Sequence, residues 1–280
     1  MHDIVFIADV FVEQLLGGGE LNNDELINLL IARGHKVLKI NSGFVDRTFI
    51  RNHRNSNFII ANFMHLKTEC RKELYDKKYI IYEHDHKYLT TRDPSSFKNY
   101  VAPKEEIVNY DFYKEANAIF CQSKFHLDII KKNLGLNNLI NLSGNLWSPQ
   151  ALQIIERLSR TPKKDKCSIL SSNISHKNTK EAIMYCKYKN LPYELVASKD
   201  YDDFLTQLGR NKKLVFFPKT PETLSRIVVE ARMMGMSTIT NNKIGATKEP
   251  WFEMKGSPLI ELIRGKRKEI VDIVEDVLLK

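Results

Sequence analysis

The sequence contains no apolar stretch that approaches the roughly 18–20 residues needed for a membrane-spanning helix. Its first apolar run, residues 4–12, is preceded by Asp3 and interrupted by Asp9. That run lacks a basic leading segment and a small-residue cleavage site, so it does not resemble a signal peptide. The four cysteines form no CxxC pair and no metal-ligand spacing. These absences exclude a disulfide scaffold and predict free thiols in a reducing, cytoplasmic setting.

Several nucleotide-binding motifs are also absent. The triplet Gly17-Gly18-Gly19 is neither GxGxxG nor a P-loop, because no Gly-Lys-Ser/Thr follows it. We find no helix-turn-helix, RNP-like aromatic motif or Cys/His finger. A sequence-specific nucleic-acid-binding module of a common type is therefore not indicated.

The composition is that of an ordinary globular protein, with 42% apolar and 28% charged residues, 12 glycines and 9 prolines. Lysine and arginine number 43 and acidic residues 34, which gives a net charge of +9 and a pI near 9.2. Such a balance favours an anionic partner: nucleic acid, a phosphorylated small molecule or an acidic membrane surface. Net charge alone does not choose among them.

Strand-like and helix-like segments alternate along the chain, which predicts parallel sheets with right-handed crossovers. At a length of 280 residues we expect two doubly wound, Rossmann-like domains that face a cleft. The predicted domains are 1–150 and 151–280, and the polar, basic segment 148–166 contains the break. A terminal helix over 260–279 is expected to pack back on the first domain.

The most informative segment is 214–250, LVFFPKTPETLSRIVVEARMMGMSTITNNKIGATKEP. A buried strand ends near Pro218 and a helix is predicted over Pro221–Met234. Glu222 and Glu230 lie eight positions apart, which would place both on one face of that helix. If Glu222 instead precedes the helix, it lies beside the free amides of the first turn, which suit a pyrophosphate. A solvated helix face is the structural alternative.

This segment resembles the donor-binding signature of GT-B glycosyltransferases, especially glycosyltransferase family four. The resemblance implies that Glu222 contacts the sugar hydroxyls and that Glu230 binds the nucleotide ribose. It also implies that the amides of Thr223, Leu224 and Ser225 bind the diphosphate. Together with the segments that follow, it covers most of the chain in the order of its elements.

A second similarity covers residues 169–182, ILSSNISHKNTKEA. Lys177 occupies the place of the family's phosphate-binding lysine, where an ammonium neutralises the leaving diphosphate. Ser172-Asn173 replaces the usual Gly-Arg pair, which makes Asn173 a donor-binding candidate, and Asn178 replaces a glycine. An exposed surface lysine is the structural alternative for Lys177.

The first half resembles the family by pattern more than by residues. Gly18 and Gly19 lie in a Gly-rich turn after the first strand, where the family lines its cleft beside the donor phosphates; a plain flexible turn is the alternative. The strand over 78–82 leads directly into His84 and Asp85, and ligands of open α/β sheets bind at such strand ends. We expect His84 to contact the acceptor or the transferring sugar, assisted by Asp85. A metal site and a hydrogen-bonded loop histidine are the alternatives.

The D-x-D triplet Asp200-Tyr201-Asp202 is a metal motif of the other large glycosyltransferase fold. Here it precedes a short amphipathic helix, so capping and first-turn acids explain it better than a metal. No metal ligand and no cofactor are assigned.

The resemblance implies a metal-independent, retaining enzyme that moves a hexose from a nucleotide-diphosphate sugar to a hydroxyl of a saccharide, lipid-linked or other acceptor. The alternatives are a basic nucleic-acid-binding protein and a degenerate GT-B protein that binds nucleotide sugar without turnover. No nucleic-acid partner is expected for the enzyme. Peripheral contact with an anionic membrane remains open, with residues 51–54 and 67–78 as candidates.

Overall fold

The computed structural model describes residues 2–279 and divides the chain into two compact units. The first unit contains the chain up to Leu146 and again from Lys266 onward, and the second unit is Trp147–Gly265. The two units therefore meet in sequence between residues 146 and 147, whereas the sequence analysis predicted the domain boundary between residues 150 and 151. The end of the chain belongs to the first unit.

The first unit is built on a six-stranded parallel sheet of order β2-β1-β3-β4-β5-β6. β1 is buried at each of its five positions, as expected of a central parallel strand that is covered on both faces. The strands are β1 (Ile4–Ala8), β2 (Val37–Asn41), β3 (Asn57–Ile60), β4 (Tyr79–Tyr82), β5 (Ala118–Cys121) and β6 (Leu139–Asn141).

The helices of the first unit include three short ones that the sequence did not predict. The helix α2, for example, has six residues and buries only Ile50, so it offers no apolar repeat to recognise. The helices are α1 (Gly18–Ala32), α2 (Arg47–Asn52), α3 (Thr68–Glu73), α4 (Tyr110–Lys114) and α5 (Lys124–Leu134).

The second unit contains a four-stranded parallel sheet of order β10-β9-β7-β8. Its strands are β7 (Lys164–Leu170), β8 (Tyr193–Val196), β9 (Asn211–Phe216) and β10 (Ser237–Thr240). Its helices are α6 (Pro149–Ser159), α7 (Thr179–Tyr188), α8 (Tyr201–Leu208), α9 (Arg226–Met233) and the beginning of α10 (Ser257–Leu279), which ends in the first unit. Of the helices within 2–279, none combines the length and the apolar composition that crossing a bilayer demands.

The segment predicted as an interdomain break is in large part the helix α6. Ser148 caps it by accepting a hydrogen bond from the Ala151 amide at 3.1 Å, and Pro149 occupies the first turn. Leu152 and Ile155 are among the apolar side chains that the helix buries. The division at 146/147 lies next to this segment, but the sequence did not predict the helix, because the basic residues after it dominated the composition of the segment.

Each sheet is doubly wound, as the alternation of elements predicted. In the first sheet β1 lies between β2 and β3, and in the second sheet β7 lies between β8 and β9. The direction of winding therefore reverses between β1 and β3, and again between β7 and β9. Ligands of such sheets bind beyond the carboxyl ends of the strands at these reversals.

Candidate functional site

The reversal in the second unit brings together two residues predicted from the sequence. Lys177 lies in a single 3-10 turn (Ser175–Lys177) after β7, and Glu222 follows β9. The Lys177 ammonium is 2.8 Å from Glu222 Oε1, and their side chains are 26% and 14% exposed. An ammonium has three donors, so this contact leaves Lys177 able to donate to a ligand oxygen.

The turn that carries Lys177 depends on Asn178, which has left-handed backbone angles (φ 57°, ψ 41°). Asparagine tolerates this region better than most residues, which explains how it can occupy the place of a glycine. The Asn178 Nδ2 donates to the Phe217 carbonyl at 2.9 Å and so ties the loop after β7 to the loop after β9. Asn173, the other donor-binding candidate of this loop, is exposed.

The helix predicted from Pro221 begins only at Arg226. Residues 222–225 are not helical, because Glu222 forms a short parallel bridge with the chain around Ile244. The Glu222 amide donates to the Lys243 carbonyl at 2.8 Å, and the Gly245 amide donates to the Glu222 carbonyl at 2.9 Å. Ser225 then has a positive φ of 78°. Glu222 and Glu230 therefore do not share a helix face.

The three residues whose amides were expected to form the first turn of the helix also lie outside it. Thr223, Leu224 and Ser225 precede α9, and the Leu224 side chain is fully buried in the core. The first amides of α9 are those of Arg226 and Ile227. A diphosphate role for 223–225 stays a prediction, without the helical geometry on which it was based.

Ser225 adds a feature that the sequence did not signal. Its side chain is buried, and its Oγ has no hydrogen-bond partner among the described residues. It lies directly before the first amides of α9. A buried hydroxyl without a partner is unfavourable unless something binds it, and a ligand oxygen at this helix end would do so.

Glu230 lies inside α9 and is almost fully buried. Its Oε1 accepts hydrogen bonds from Trp147 Nε1 at 3.0 Å and from the Tyr201 hydroxyl at 2.6 Å. The Arg226 Nε is 3.6 Å from the same oxygen, and its guanidinium lies 4.2 Å from the centre of the Trp147 ring. Burial, followed by the Glu230 charge, raises the pKa of the Tyr201 phenol and keeps it a donor.

A ribose bound by Glu230 would thus share the carboxylate with three protein side chains, and the ribose role stays a prediction. Sequence reasoning missed Trp147, Tyr201 and Arg226. Tyr201 is the central residue of the D-x-D triplet, and that motif is defined by its two aspartates, so it gives no signal for the tyrosine. Asp200 caps α8 by accepting from the Asp203 amide at 2.7 Å, which confirms the capping interpretation.

In the first unit, the structure brings Gly19 and His84 together. A Cβ on Gly19 would lie 3.5 Å from the His84 Cγ, so the helix start and the imidazole are in contact. The His84 Nε2 is 2.7 Å from Asn23 Oδ1, and its Nδ1 contacts the Gln122 Nε2. This pattern fits a neutral ring with the proton on Nε2. Gly18 is exposed at the first position of α1.

Asp85 belongs to a chain of charged side chains that the sequence did not reveal, and two of them, Glu83 and Lys87, are buried. Lys87 contacts Glu83 and lies 2.9 Å from Asp85 Oδ1, and Arg92 contacts the other Asp85 oxygen. Burial opposes ionisation of Asp85, but the charges of Lys87 and Arg92 outweigh it and hold its pKa below the usual range. Burial raises the pKa of Glu83, and Lys87 counteracts part of that effect.

His84 and Asp85 therefore lie in the first unit, and the other candidates, apart from Gly18 and Gly19, lie in the second. Among residues 2–279 no three His, Cys, Asp or Glu side chains are grouped so that they could hold a metal ion. The alternative of a metal site at His84 thus lacks a third ligand within the described part of the chain.

No protein-family model matches the chain, and no curated protein sequence is significantly similar to it. Its structure is similar to solved glycosyltransferases. HepE from Anabaena, solved with UDP and glucose, is 11% identical, with a TM-score of 0.55 and coverage of 99% of this chain and 92% of HepE. A glycosyltransferase from Rickettsia africae is 12% identical, with a TM-score of 0.55 and 98% coverage of both chains.

WaaG, a glycosyltransferase involved in lipopolysaccharide biosynthesis, is 10% identical, with a TM-score of 0.52 and coverage of 95% of this chain and 90% of WaaG. At these identities the similarity shows the fold: two α/β units of the GT-B type, each with a parallel sheet.

Proposed function

We propose that the chain is a glycosyltransferase that moves a hexose from a nucleotide-diphosphate sugar to a hydroxyl of an acceptor. The observation that carries the proposal is the Lys177–Glu222 pair, which lies at the winding reversal of the second sheet. This is the position at which an open α/β sheet binds its ligand. Support comes from neighbours of the same fold, since HepE was solved with UDP and with UDP-glucose.

In the proposed reaction the bond between the sugar C1 and the diphosphate oxygen breaks, and a bond from C1 to the acceptor oxygen forms. Negative charge develops on the diphosphate oxygen as it leaves C1, and that oxygen then takes up the proton that the acceptor hydroxyl loses. The Lys177 ammonium stabilises that charge where it develops. The Arg226 and Ile227 amides and the buried Ser225 hydroxyl add donors at the positive end of α9.

Glu222 is proposed to release Lys177 in part when the donor binds and to accept hydrogen bonds from the sugar hydroxyls. Its present partner is a cation, so a bound diphosphate would compete for Lys177 and a bound sugar would supply new donors to the carboxylate. Glu230 is proposed to remain a buried acceptor beside the ribose. His84 and Asp85 are proposed to act on the acceptor side within the first unit.

Retention of anomeric configuration and independence of metal are further parts of the proposal. The Lys177 ammonium and the first amides of α9 are proposed to neutralise the diphosphate charge, which a divalent metal ion neutralises in metal-dependent enzymes. Turnover should therefore persist in EDTA, and the anomeric configuration of the product should equal that of the donor. The identities of the base, the hexose and the acceptor need a panel of substrates.

The test combines binding and turnover. UDP, GDP, ADP and TDP are added one at a time, and the shift in melting temperature is measured for the wild type. A panel of nucleotide sugars is then assayed by the nucleoside diphosphate released. Lys177→Ala is expected to lower kcat by roughly 10²- to 10³-fold, the usual effect of removing one donor to a developing charge.

Lys180→Ala is the matched control, because Lys180 is an exposed lysine three positions away on α7. It should leave both binding and turnover unchanged. If no nucleoside diphosphate shifts the melting temperature, the proposal is wrong. If one of them binds but no nucleotide sugar of the panel yields free nucleoside diphosphate, the chain is a binding protein of the GT-B fold.

A further inference from the structure

The excess positive charge is not shared between the two units. Of the 43 basic and 34 acidic residues, the second unit has 20 basic and 12 acidic residues, whereas the first unit has 23 and 22. The second unit therefore carries +8 of the net +9. The first unit, which contains the candidate segments 51–54 and 67–78 for membrane contact, is therefore almost neutral, and Arg51 in the first of them is paired with Glu73 at 2.8 Å.

Within the second unit the charge is concentrated at the amino ends of three strands. Residues 160–166, 187–193 and 210–213 read RTPKKDK, KYKNLPY and RNKK, and they lead into or open β7, β8 and β9. These segments, which we call the basic end, contain nine lysines or arginines and one acid. Because the strands are parallel, their amino ends meet at one edge of the sheet.

The basic end lies at the opposite edge of the sheet from the proposed donor site. Lys177 and Glu222 follow the carboxyl ends of β7 and β9. The seven residues of β7 separate the two edges by about 20 Å, at about 3.3 Å per residue. That exceeds the Debye length of about 8 Å at physiological ionic strength, so this charge does not serve the diphosphate.

Only part of this charge is neutralised within the protein. Glu194 pairs with Lys166 at 2.9 Å and with Lys164 at 3.3 Å. In the described part of the chain no acidic side chain pairs with Lys187, Lys189 or Arg210, and all three residues are exposed. Asp165 also lies 3.9 Å from the Lys212 ammonium and 3.8 Å from the Lys213 ammonium. With nine basic side chains against Glu194 and Asp165, the edge keeps an excess of positive charge.

Large apolar side chains stand beside these lysines. Tyr188 is 79% exposed and Met184 is 56% exposed, and their spacing of four places them on one face of α7. The Lys189 ammonium lies 5.0 Å from the centre of the Tyr188 ring. Lysines around an exposed aromatic ring and an unbranched apolar side chain are typical of proteins that lie on the interface of an anionic bilayer.

We propose that the basic end, together with Met184 and Tyr188, docks on an anionic phospholipid surface. The lysines contact the headgroup phosphates, and Tyr188 enters the boundary between headgroups and acyl chains. A nucleic acid is another polyanion that could bind these lysines. Proteins that bind single strands stack successive bases on several aromatic side chains, however, and this surface offers the single exposed ring of Tyr188, so we favour the lipid. The proposal does not depend on glycosyl transfer.

The experiment measures binding of the full chain to vesicles by co-sedimentation. One set of vesicles is phosphatidylcholine alone, and the other contains 30% phosphatidylglycerol. The test variant carries Lys187→Gln, Lys189→Gln, Lys212→Gln and Lys213→Gln. The matched control loses the same charge from the first unit, through Arg54→Gln, Lys67→Gln, Lys72→Gln and Lys78→Gln.

We expect the wild type and the control to bind only the anionic vesicles and to be released by 0.5 M NaCl. The test variant should bind roughly 10²- to 10³-fold more weakly, at about fivefold per lysine near the surface. Tyr188→Ser should weaken binding with the salt dependence unchanged. The nucleotide-induced shift in melting temperature should be the same in all variants, which separates this test from that of the donor site.

Equal binding by the test variant and the wild type would overturn the proposal, as would equal losses in the test variant and the control. A chain that ignores anionic vesicles but binds a 20-nucleotide oligonucleotide through the same lysines would show that the partner is a nucleic acid. That outcome would also contradict the proposal.

Discussion

The buried pair of Glu83 and Lys87 supplies the sharpest stability prediction, because it supports the loop that carries His84 and Asp85. Both side chains of the pair are 0% exposed, and Glu83 also accepts a hydrogen bond from the Tyr113 hydroxyl. Replacing Lys87 with methionine keeps the volume but leaves Glu83 as a buried charge. Removing one partner of such a pair costs about 3–5 kcal/mol of unfolding free energy.

The double variant Glu83→Gln/Lys87→Met removes both charges and keeps a polar partner for Tyr113. Asp85 also loses Lys87 in this variant but keeps its contact with Arg92. The double variant should therefore recover most of the loss, so that the coupling energy from the double-mutant cycle is at least about 2 kcal/mol. Urea denaturation at pH 7.5 gives the free energies. Lys124→Met is the control, since Lys124 and Asp128 form a pair of the same i,i+4 spacing whose side chains are 56% and 42% exposed. It should cost at most about 0.5 kcal/mol.

The penalty of Lys87→Met should also shrink as the pH is lowered. Without Lys87 the burial of Glu83 raises its pKa further above that of the unfolded chain, so the folded state takes up the proton first and gains stability at acidic pH. A cost of less than about 1 kcal/mol for the single variant, or additive single losses in the double variant, would refute the reasoning that this pair is electrostatically coupled.

Two further predictions concern His126 and Asn178. Burial lowers the pKa of His126 to about 4, whereas an unfolded histidine titrates near 6.5, so between these values only the unfolded chain takes up the proton and stability falls as pH falls. His126→Gln should reduce the slope of unfolding free energy against pH in this range by up to about 1.4 kcal/mol per pH unit. His65→Gln, at an exposed histidine, is the control and should leave the slope unchanged. Equal slopes for His126→Gln and the wild type would contradict the prediction. Asn178→Ala should cost about 2 kcal/mol through lost hydrogen bond and left-handed strain, and Asn178→Gly about 1 kcal/mol through the hydrogen bond alone. Equal costs by urea denaturation would show that backbone strain has no part in the Asn178 position.

The sequence predicted the fold well where apolar runs were long enough to be recognised. β1 and β4 are almost wholly apolar and buried, and both were predicted as strands. The helices α2, α3 and α4 have five or six residues each and went unrecognised, because one or two buried positions define no period. The helix α6 was hidden by the basic residues that follow it.

The candidate site was predicted in its residues more than in its geometry. Lys177 and Glu222 were expected in one site, and they form an ion pair there. The start of α9 could not be placed, because Pro221 is a common first helical residue and nothing in the sequence shows that Glu222 hydrogen-bonds with residues 243 and 245. Partners of that kind are distant in sequence, and local patterns do not contain them.

The charge of the second unit shows that some spatial information was present but unused. Net charge is a sum without positions, so +9 favoured several anions equally. Once the strands are predicted to be parallel, however, the residues before each strand must meet at one edge of the sheet, and those after each strand must meet at the other. Segments 160–166, 187–193 and 210–213 precede strands, whereas Lys177 follows one. The sequence therefore already contained two cationic sites at opposite edges, and a diphosphate can account for only one of them.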